Sequence, residues 1–493
     1  MQYFKPFEVN LFVGDCMPFF HDGIFHLFYL LDEDHHRGNN GLGGHQWAHS
    51  SSADLVHWQH HPLAIPLGSP GAYDSASICT GSVIYHDSMF YAFYSTRWLD
   101  DGHKHQAVCL ATSTDGITFT KHEDNPLIYP GAVYCRQNFR DPFVFRGDDG
   151  RFHMLVTASL CEAPAADRAG CLAHLVSSDL LQWEDCGPFI DGLYGRTDSF
   201  HAPECSDYFR WNDWYYLLYG DTSTGYTRYL LSRTPFGPWE SPEVDTFDTS
   251  LAAVMKTAPF RENRRIGVAF ARSRSEQHDD ADLAFGGNAL FRELVQHDDG
   301  TLGCCWPREM LLPSHSALEL TMTPLTAGVS GRQQDCAVRL NGGETLAMYA
   351  GVPVNAYISV QIDPDAAAFG LRLRGVDSDE DGYELRFLPD QQQVVLQRAT
   401  VPSNPRESTL THVTGLNQPF SLNIIMKDDI IDVCIDDRRC LCQRLPELRG
   451  DKLFLFTEEG QVDFRSLQIR PLINPGQIPY KRTIYRNGSC TLK

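Results

Sequence analysis

The chain has 493 residues, with a hydrophobic fraction of 42% and an aromatic fraction of 12%. This is enough for two or three domains with a large core, and it is typical of a protein rich in β structure. The formal net charge of -22 argues against nucleic acid or an anionic membrane as a partner, because binding phosphates needs a basic face. No stretch approaches the roughly 18 apolar residues of a membrane span.

The N-terminal segment and the cysteines predict a compartment. Residues 1–8 contain no basic stretch followed by an apolar run, so we expect no signal peptide. The 15 cysteines are odd in number and have no framework spacing. We therefore expect reduced thiols in a cytoplasmic protein, and no structural zinc site built from cysteine pairs.

Two short patterns recur in the first part of the chain. A turn signal followed by an aromatic and aliphatic run, typical of a β-hairpin, occurs at 22–29, 87–94, 149–156, 212–219 and, more weakly, 264–270. A Ser-x-Asp-Leu-x-x-Trp element follows at 51–58, 113–119, 177–183 and, loosely, 232–239. A period of about 50–65 residues with several strands per unit predicts a five-bladed β-propeller over residues 1–312. The alternative is an irregular all-β sandwich in which the hairpins recur by chance.

The character of the sequence changes after about residue 312. Residues 311–315 resemble a linker, and strands of alternating apolar and polar residues follow at 357–362, 393–397, 422–426, 431–435 and 453–456. Such strands, separated by turns, predict a β-sandwich over residues 313–493. The fold class is therefore all-β, with a propeller followed by a sandwich.

Three acidic residues precede the hairpin cores of three predicted blades: Asp15, Asp141 and Glu204. The innermost strands of a propeller line a central pocket, so these residues are expected to converge there. Glu204 lies between Pro203 and Cys205, beside an apolar strand, which favours a raised pKa and a role as general acid. A pair of carboxylates is what glycoside hydrolysis needs. Taken singly, each acid could instead be a turn residue, an ion-pair partner or a strand-end residue.

Several segments, in order, resemble glycoside hydrolase family 32, the invertases, inulinases, levanases and fructosyltransferases. The Asp141 segment resembles the family's Arg-Asp-Pro motif, and Glu204-Cys205 resembles its Glu-Cys motif. Further resemblances lie at Trp47-Ala48-His49, Cys79-Thr80-Gly81-Ser82, 291–294, 299–302, 307–310 and 422–445. The resemblance covers nearly the whole chain and implies a five-bladed propeller with a C-terminal β-sandwich.

The resemblance also implies residue roles. Asp15 would be the nucleophile, Glu204 the acid/base and Asp141 the group that binds sugar hydroxyls in the transition state. Substrate-binding positions would be Leu30, Trp47, His49, Cys79, Thr80, Arg140 and His201. We expect Trp47 to line the pocket through its apolar face and Arg140 to orient Asp141. From its position three residues before Glu204, His201 could tune that acid, or it could equally be a packed core imidazole.

The chain is a divergent member by this resemblance. The family's Asn-Asp-Pro-Asn-Gly motif is here Gly14-Asp15-Cys16-Met17-Pro18, Leu30 replaces a frequent Gln, and Cys79 replaces a Phe. These positions shape the subsite for terminal fructose, so other furanosides and unusual fructosides stay open as substrates.

The expected function is a retaining glycosidase acting on short fructosides or related furanosides. An inverting arabinofuranosidase or xylosidase, and an inactive sugar-binding protein, are the alternatives. No cofactor is expected. We also expect no metal, because the adjacent His35 and His36 cannot easily converge on one ion. The sandwich could be a homodimer contact, a sugar-binding accessory or a support.

Overall fold

The computed structural model describes residues 1–37, 41–100, 102–162, 169–189, 202–332, 337–376, 381–401 and 403–473. Strands dominate it, as the sequence predicts. Helical turns occur at Arg308–Met310, Pro389–Gln391 and Pro405–Ser408. None of the helices in the described ranges combines the length and the apolar composition that crossing a membrane requires.

The first nineteen strands form five antiparallel groups of three or four. The groups are β1 Leu11–His21, β2 Ile24–Glu33, β3 Gln46–Ser52, β4 Gln59–His60; β5 Ser77–His86, β6 Met89–Asp100, β7 His103–Ser113, β8 Thr120–Lys121; β9 Tyr134–Arg146, β10 Phe152–Leu160, β11 Gly170–Ser177, β12 Glu184–Pro188; β13 Pro203–Trp211, β14 Trp214–Asp221, β15 Thr227–Ser232; and β16 Ala252–Phe260, β17 Arg264–Arg274, β18 Leu283–Gln296, β19 Leu302–Cys305.

The five groups are arranged in a ring. The first strand of each group contacts the first strand of the next, in the cyclic order β1, β5, β9, β13, β16 and back to β1. Strand β18 also pairs with β1 at Val13 and Gly287, which joins the last group to the first. This arrangement places five blades around one axis, with the first strand of every blade innermost.

The two recurring sequence patterns have defined structural roles. Each hairpin core forms the second strand of a blade: β2, β6, β10, β14 and β17. The Ser-x-Asp-Leu-x-x-Trp element forms the turn between third and fourth strands. In the first blade, Asp54 Oδ1 accepts from the Val56 and His57 backbone N–H groups at 2.9 and 2.8 Å, and Trp58 Nε1 donates to the Leu55 carbonyl. Asp115 and Asp179 make the same backbone contacts in the second and third blades.

The remaining strands form a second layered unit with its own core. They are β20 Met322–Pro324, β21 Val329–Arg332, β22 Ala337–Gly342, β23 Thr345–Ala350, β24 Ala356–Gly375, β25 Tyr383–Leu388, β26 Gln393–Arg398, β27 Thr409–Leu410, β28 Phe420–Lys427, β29 Ile430–Ile435, β30 Arg439–Arg444 and β31 Lys452–Pro471. The long strands β24 and β31 pair along most of their length and each also pairs with other strands at both ends. The boundary that we predict at 312/313 lies between the last strand of the ring and the first strand of this unit.

A buried ion-pair cluster joins the two units. Arg292 of β18 bonds to Asp248 at 2.6 Å and to Asp432 of β29 at 2.8 Å, and all three side chains are essentially inaccessible to solvent. Tyr3 Oη donates to the second oxygen of Asp432 at 2.7 Å. A buried pair of this kind is costly to break, because the remaining charges lose their partner. The cluster therefore fixes the sandwich against the fourth and fifth blades.

Candidate active site

Every innermost strand carries a β-bulge, where two of its residues oppose one residue of the neighbouring strand. The bulged pairs are Gly14-Asp15, Cys79-Thr80, Asp141-Pro142, Cys205-Ser206 and Val254-Met255. Asp141, Cys205 and Val254 have positive φ angles of 57°, 53° and 51°. A bulge redirects side chains that regular alternation would point elsewhere. Four of the predicted site residues, Asp15, Cys79, Thr80 and Asp141, lie within these bulges, and Glu204 directly precedes one.

In the described part of the chain, only one of the two carboxylate oxygens of Asp15 is hydrogen-bonded. Thr80 Oγ1 donates to Asp15 Oδ2 at 2.5 Å, and the Cys205 thiol lies 3.6 Å from the same oxygen. Asp15 Oδ1 has no hydrogen-bond partner among the described residues. Burial raises the pKa of Asp15 to about 7, and the charges of Glu204 and Asp141 add to this effect. The sequence predicts a raised pKa at Glu204 and gives no sign of the one at Asp15.

Arg140 connects the other two acids. Its Nη2 bonds to Glu204 Oε2 at 3.1 Å, and its Nε lies 3.3 Å from Asp141 Oδ2. The Cys205 backbone N–H also donates to Asp141 Oδ2 at 3.3 Å. Glu204 is the most accessible acid, with 27% of its side chain exposed, against 3% for Asp141. The three acids therefore lie in one network, in which Glu204 faces the open side.

Two basic residues of the fifth blade, Lys256 and Arg272, lie close to the acids and were not predicted from the sequence. Lys256 is buried beside the acids, and its Nζ donates to the Gly81 carbonyl at 2.9 Å. Burial lowers the pKa of Lys256, and the nearby charges of Cys205, Asp207, Asp141 and Asp15 oppose that shift. Burial also lowers the pKa of Arg272, against the charges of Glu204 and Asp15. A lysine within the apolar run of β16 was the signal available for Lys256.

The predicted substrate-binding residues fall into two classes. Thr80 and Arg140 contact the acids directly. Leu30, Trp47, His49 and Cys79 are buried and offer a ligand almost no surface. Trp47 Nε1 donates to the Cys79 carbonyl at 2.8 Å, so this residue supports the Cys79-Thr80 bulge rather than presenting its face to the pocket.

The other buried positions differ in their distance from the acids. Leu30 opposes the Gly14-Asp15 bulge across the hairpin. His49 bonds to His26 at 3.0 Å and stacks on Phe28, and it makes no contact with an acid in the described ranges. His201 lies outside the described residues. Direct substrate contact by these residues stays a prediction.

Comparison with known proteins identifies the family. The sequence model described as "Glycosyl hydrolases family 32 N-terminal domain" matches residues 16–281, more than half of the chain. The chain belongs to glycosyl hydrolase family 32. The matched region begins one residue after Asp15 and includes Asp141 and Glu204, so the resemblance seen in the sequence motifs is confirmed.

Characterised relatives match the chain over part of its length. A probable sucrose-6-phosphate hydrolase from Psychromonas ingrahamii is 33% identical over 211 residues, covering 41% of this chain and 34% of the relative. A raffinose invertase from Escherichia coli is 28% identical over 213 residues, covering 42% and 41%. The matches thus span less than half of the length of these relatives.

Solved structures match over nearly the whole chain. A sucrose-6-phosphate hydrolase from Lactobacillus gasseri superposes with a TM-score of 0.70 at 16% identity, covering 94% of this chain and 91% of that one. Fructan 1-exohydrolase IIa from Cichorium intybus gives 0.72 at 18% identity, covering 95% and 96%. At these identities the likeness is one of fold, and it confirms the predicted all-β propeller followed by a sandwich.

Proposed function

We propose that this protein is a retaining glycoside hydrolase that releases terminal fructofuranosyl residues from short fructosides. The observation that carries the proposal is the convergence of Asp15, Asp141 and Glu204 from three blades on one network. Family membership supplies the reaction class, and the relatives named as invertases and sucrose-6-phosphate hydrolases support a fructoside as the substrate.

Asp15 is suited to be the nucleophile. Thr80 and Cys205 fix its Oδ2, while Oδ1 has no partner in the described part of the chain and is available to attack the anomeric carbon. Attack forms a covalent bond from Oδ1 to that carbon as the bond to the leaving oxygen breaks. The reaction needs the ionised carboxylate, so a pKa of about 7 predicts that the free enzyme gains activity as the pH rises towards that value.

Glu204 is suited to be the acid/base. Its side chain is the most exposed of the three acids, so a leaving group that approaches from the open side meets it first. It donates a proton to the glycosidic oxygen in the first step. It then removes a proton from the water that attacks the glycosyl-enzyme, which restores both carboxyl groups.

Asp141 is suited to bind ring hydroxyls. The Arg140 guanidinium and the Cys205 backbone N–H both bond to its Oδ2, which fixes the orientation of the carboxylate. A carboxylate held in this way can accept hydrogen bonds from sugar hydroxyls and strengthen them as positive charge develops on the ring. Arg140 also contacts Glu204, so it sets the relative positions of two catalytic groups.

The direct test is sugar release from sucrose, short inulin- and levan-type oligosaccharides, and aryl furanosides of arabinose and xylose. Wild-type protein is compared with Asp15→Asn and Glu204→Gln. We expect fructose release that both substitutions abolish, with the first-formed fructose keeping its anomeric configuration in an NMR time course. Inverted product would favour the arabinofuranosidase-like or xylosidase-like alternative. Sugar binding without release would indicate a binding protein.

One observation favours a phosphorylated fructoside as a second candidate substrate. Three cations have no carboxylate within ion-pair distance among the described residues: Arg272, which lies near Glu204 and Asp15, and Arg97 and Lys104, which lie near each other. Burial lowers the pKa of Lys104, and the neighbouring charges of Arg97 and Arg140 lower it further. Cations that repel each other in this way are stabilised by a bound anion.

The second candidate is tested with sucrose and sucrose 6-phosphate as a pair. If a phosphate binds here, we expect kcat/KM to be higher for the phosphorylated sugar. Lys104→Gln should then lower kcat/KM for that substrate by about tenfold, equivalent to one charge-assisted hydrogen bond, and leave sucrose unaffected. Equal kcat/KM values for the two sugars in wild-type protein would rule out the phosphorylated candidate and leave the main proposal intact.

A further inference from the structure

Outside the acid network, three potential metal ligands converge at the turn between β2 and β3. Asp32 is the second-last residue of β2, His36 lies in the turn, and His45 immediately precedes β3. Asp32 Oδ1 and His45 Nε2 are 3.0 Å apart, and His36 Nδ1 lies 3.2 Å from His45 Nε2. The three atoms all lie within 4.8 Å of one another. The adjacent His35 points elsewhere, with its Nδ1 at 2.9 Å from the Phe285 carbonyl oxygen.

The backbone is strained to make this arrangement. Asp34, His35 and His36 have positive φ angles of 55°, 56° and 67°. The left-handed region costs an ordinary residue roughly 1–2 kcal/mol. The strained turn returns the His36 backbone N–H to Asp32 Oδ1 at 2.8 Å and brings the imidazole against His45. Strain that persists in a structure is a reason to look for a ligand or a function.

Two of the three distances between these atoms match the spacing of ligands around one metal ion. Bonds from zinc to nitrogen and oxygen ligands are about 2.0–2.2 Å, so neighbouring ligand atoms around one ion lie about 3–3.5 Å apart. The two distances given above fall in that range. Two imidazoles and one carboxylate are a frequent ligand set for divalent transition metals.

Without a metal ion, the possible positions of the protons on His36 and His45 do not satisfy all of these contacts. Arg97 Nη1 lies 3.1 Å from His36 Nε2 and can only donate, so a neutral His36 must carry its proton on Nδ1. That proton points at His45 Nε2, which then cannot donate to Asp32. If His45 Nε2 carries a proton instead, two N–H groups face each other. Asp32 is fully buried, His45 is 1% exposed, and both Asp32 Oδ2 and His45 Nδ1 lack partners in the described ranges.

We propose that Asp32, His36 and His45 bind a divalent transition metal ion of the zinc class, with water completing its coordination. The ion would replace the conflicting protons and neutralise the buried carboxylate. Bound in this way, His36 keeps its proton on Nε2 and no longer accepts from Arg97, whose Nη1 also reaches the Leu42 carbonyl at 3.4 Å. Arg97 is therefore a competitor for His36.

The site lies one aromatic ring from the catalytic network. The Phe285 ring stacks on His45 with centroids 5.2 Å apart, and its edge would lie 2.9 Å from a Cβ placed on Gly14. Gly14 and Asp15 form the bulge of the first blade. A bound ion would fix the turn that holds Phe285 against this bulge, so its role is structural and it takes no part in bond breaking.

The test is zinc titration of chelator-treated protein, followed by calorimetry and thermal unfolding. The Cys135 and Cys161 sulfur atoms are 3.1 Å apart, and two such thiols would compete for added zinc, so all variants carry Cys135→Ser and Cys161→Ser. We expect one zinc ion per chain and a rise in Tm once zinc exceeds its Kd, because the ion binds the folded state. Absence of stoichiometric binding would overturn the proposal without affecting the proposed glycosidase activity.

Three variants sharpen the test. His36→Gly removes a ligand and tolerates the positive φ, so affinity should fall by more than about 100-fold. Arg97→Gln replaces the competing donor with a side chain that can accept from His36 Nε2, so affinity should rise. His174→Gln removes a histidine that bonds to His153 at 2.9 Å away from this site, and should change nothing. Affinity that is insensitive to His36→Gly would overturn the assignment.

Discussion

The protein buries carboxylates in two places, and the two groups differ in how completely their oxygens are hydrogen-bonded. At the junction of propeller and sandwich, Arg292 lies between Asp248 and Asp432, and every carboxylate oxygen has a partner. At the axis of the propeller, Asp141 and Glu204 share the guanidinium of Arg140, and Asp15 Oδ1 has no hydrogen-bond partner in the described ranges. The fully paired carboxylates hold the two units together, whereas the incompletely paired Asp15 keeps an oxygen free to react.

The largest expected effect comes from removing the unpaired charge. Asp15→Asn should lower the rate of fructose release by a factor on the order of 10⁴ or more. The same change should stabilise the fold at pH 8. The pKa of Asp15 is about 7 in the folded protein and about 4 in the unfolded chain. Between these two pH values only the unfolded chain loses the proton, so the free energy of unfolding falls as the pH rises from about 4 to 7, by at most about 4 kcal/mol.

Urea unfolding at pH 5 and pH 8 checks the stability half of this prediction. The gain from Asp15→Asn should be large at pH 8 and small at pH 5. A variant less stable than wild type at pH 8 would mean that Asp15 is satisfied in the fold, and the comparison between the two clusters would fail.

The second prediction concerns the accessible acid. Glu204→Gln should slow hydrolysis of sucrose-type substrates by about 10²–10⁴-fold, the usual size of general acid–base catalysis. Release of a leaving group that needs no protonation should be far less affected. The charge of Glu204 helps to raise the pKa of Asp15, so the acidic limb of that reaction should move to lower pH. Equal losses on both kinds of substrate would contradict the assigned role.

The third prediction tests the paired cluster. Arg292→Met leaves Asp248 and Asp432 buried without their cation, and should cost about 3–5 kcal/mol in the free energy of unfolding, measured in urea at pH 7. Arg339→Met removes a half-exposed arginine from Asp463, which keeps Arg465 as a partner, so it should change stability little. If both variants unfolded at the same urea concentration, the junction cluster would not hold the two units together.

The smallest effect concerns a single hydrogen bond. Thr80→Val removes the donor to Asp15 Oδ2 and should raise the pKa of Asp15 further above 7, because that bond favours the charged form. Activity at pH 6.5 should fall by about tenfold, in keeping with the loss of one hydrogen bond to a charged group. Thr96→Val, which loses bonds to the Tyr73 and Ser77 carbonyls, should leave the pH profile unchanged.

The blades could be predicted because their signals are local. The turn Asp22-Gly23 opens the first hairpin, and Asp54 closes the third strand through its own neighbours, so both appear in the sequence as fixed patterns. The three acids could be placed because each precedes a hairpin core. Their convergence follows once the blades form a ring.

The bulges, the packing of Trp47 against the Cys79 bulge, and the cluster of Asp32, His36 and His45 could not be predicted from the sequence. A bulge is defined by pairing with another strand, so nothing in Cys79-Thr80 alone marks it. Trp47 is predicted to line the pocket, but the sequence does not show that its indole N–H bonds to the Cys79 carbonyl across the sheet. The cluster of Asp32, His36 and His45 depends on a strained turn whose φ angles have no sequence signature. Long-range pairing decided all three cases.

The five bulges also bear on how this scaffold can change. Each is confined to one innermost strand, and regular pairing resumes within two residues on either side. Replacing a bulged residue therefore alters one side of the axial cavity and leaves the ladders of the other four sheets in register. A pocket built in this way can be diversified one position at a time. For protein engineering, the bulges are the positions at which the surroundings of the acids can be changed one strand at a time without rebuilding the fold.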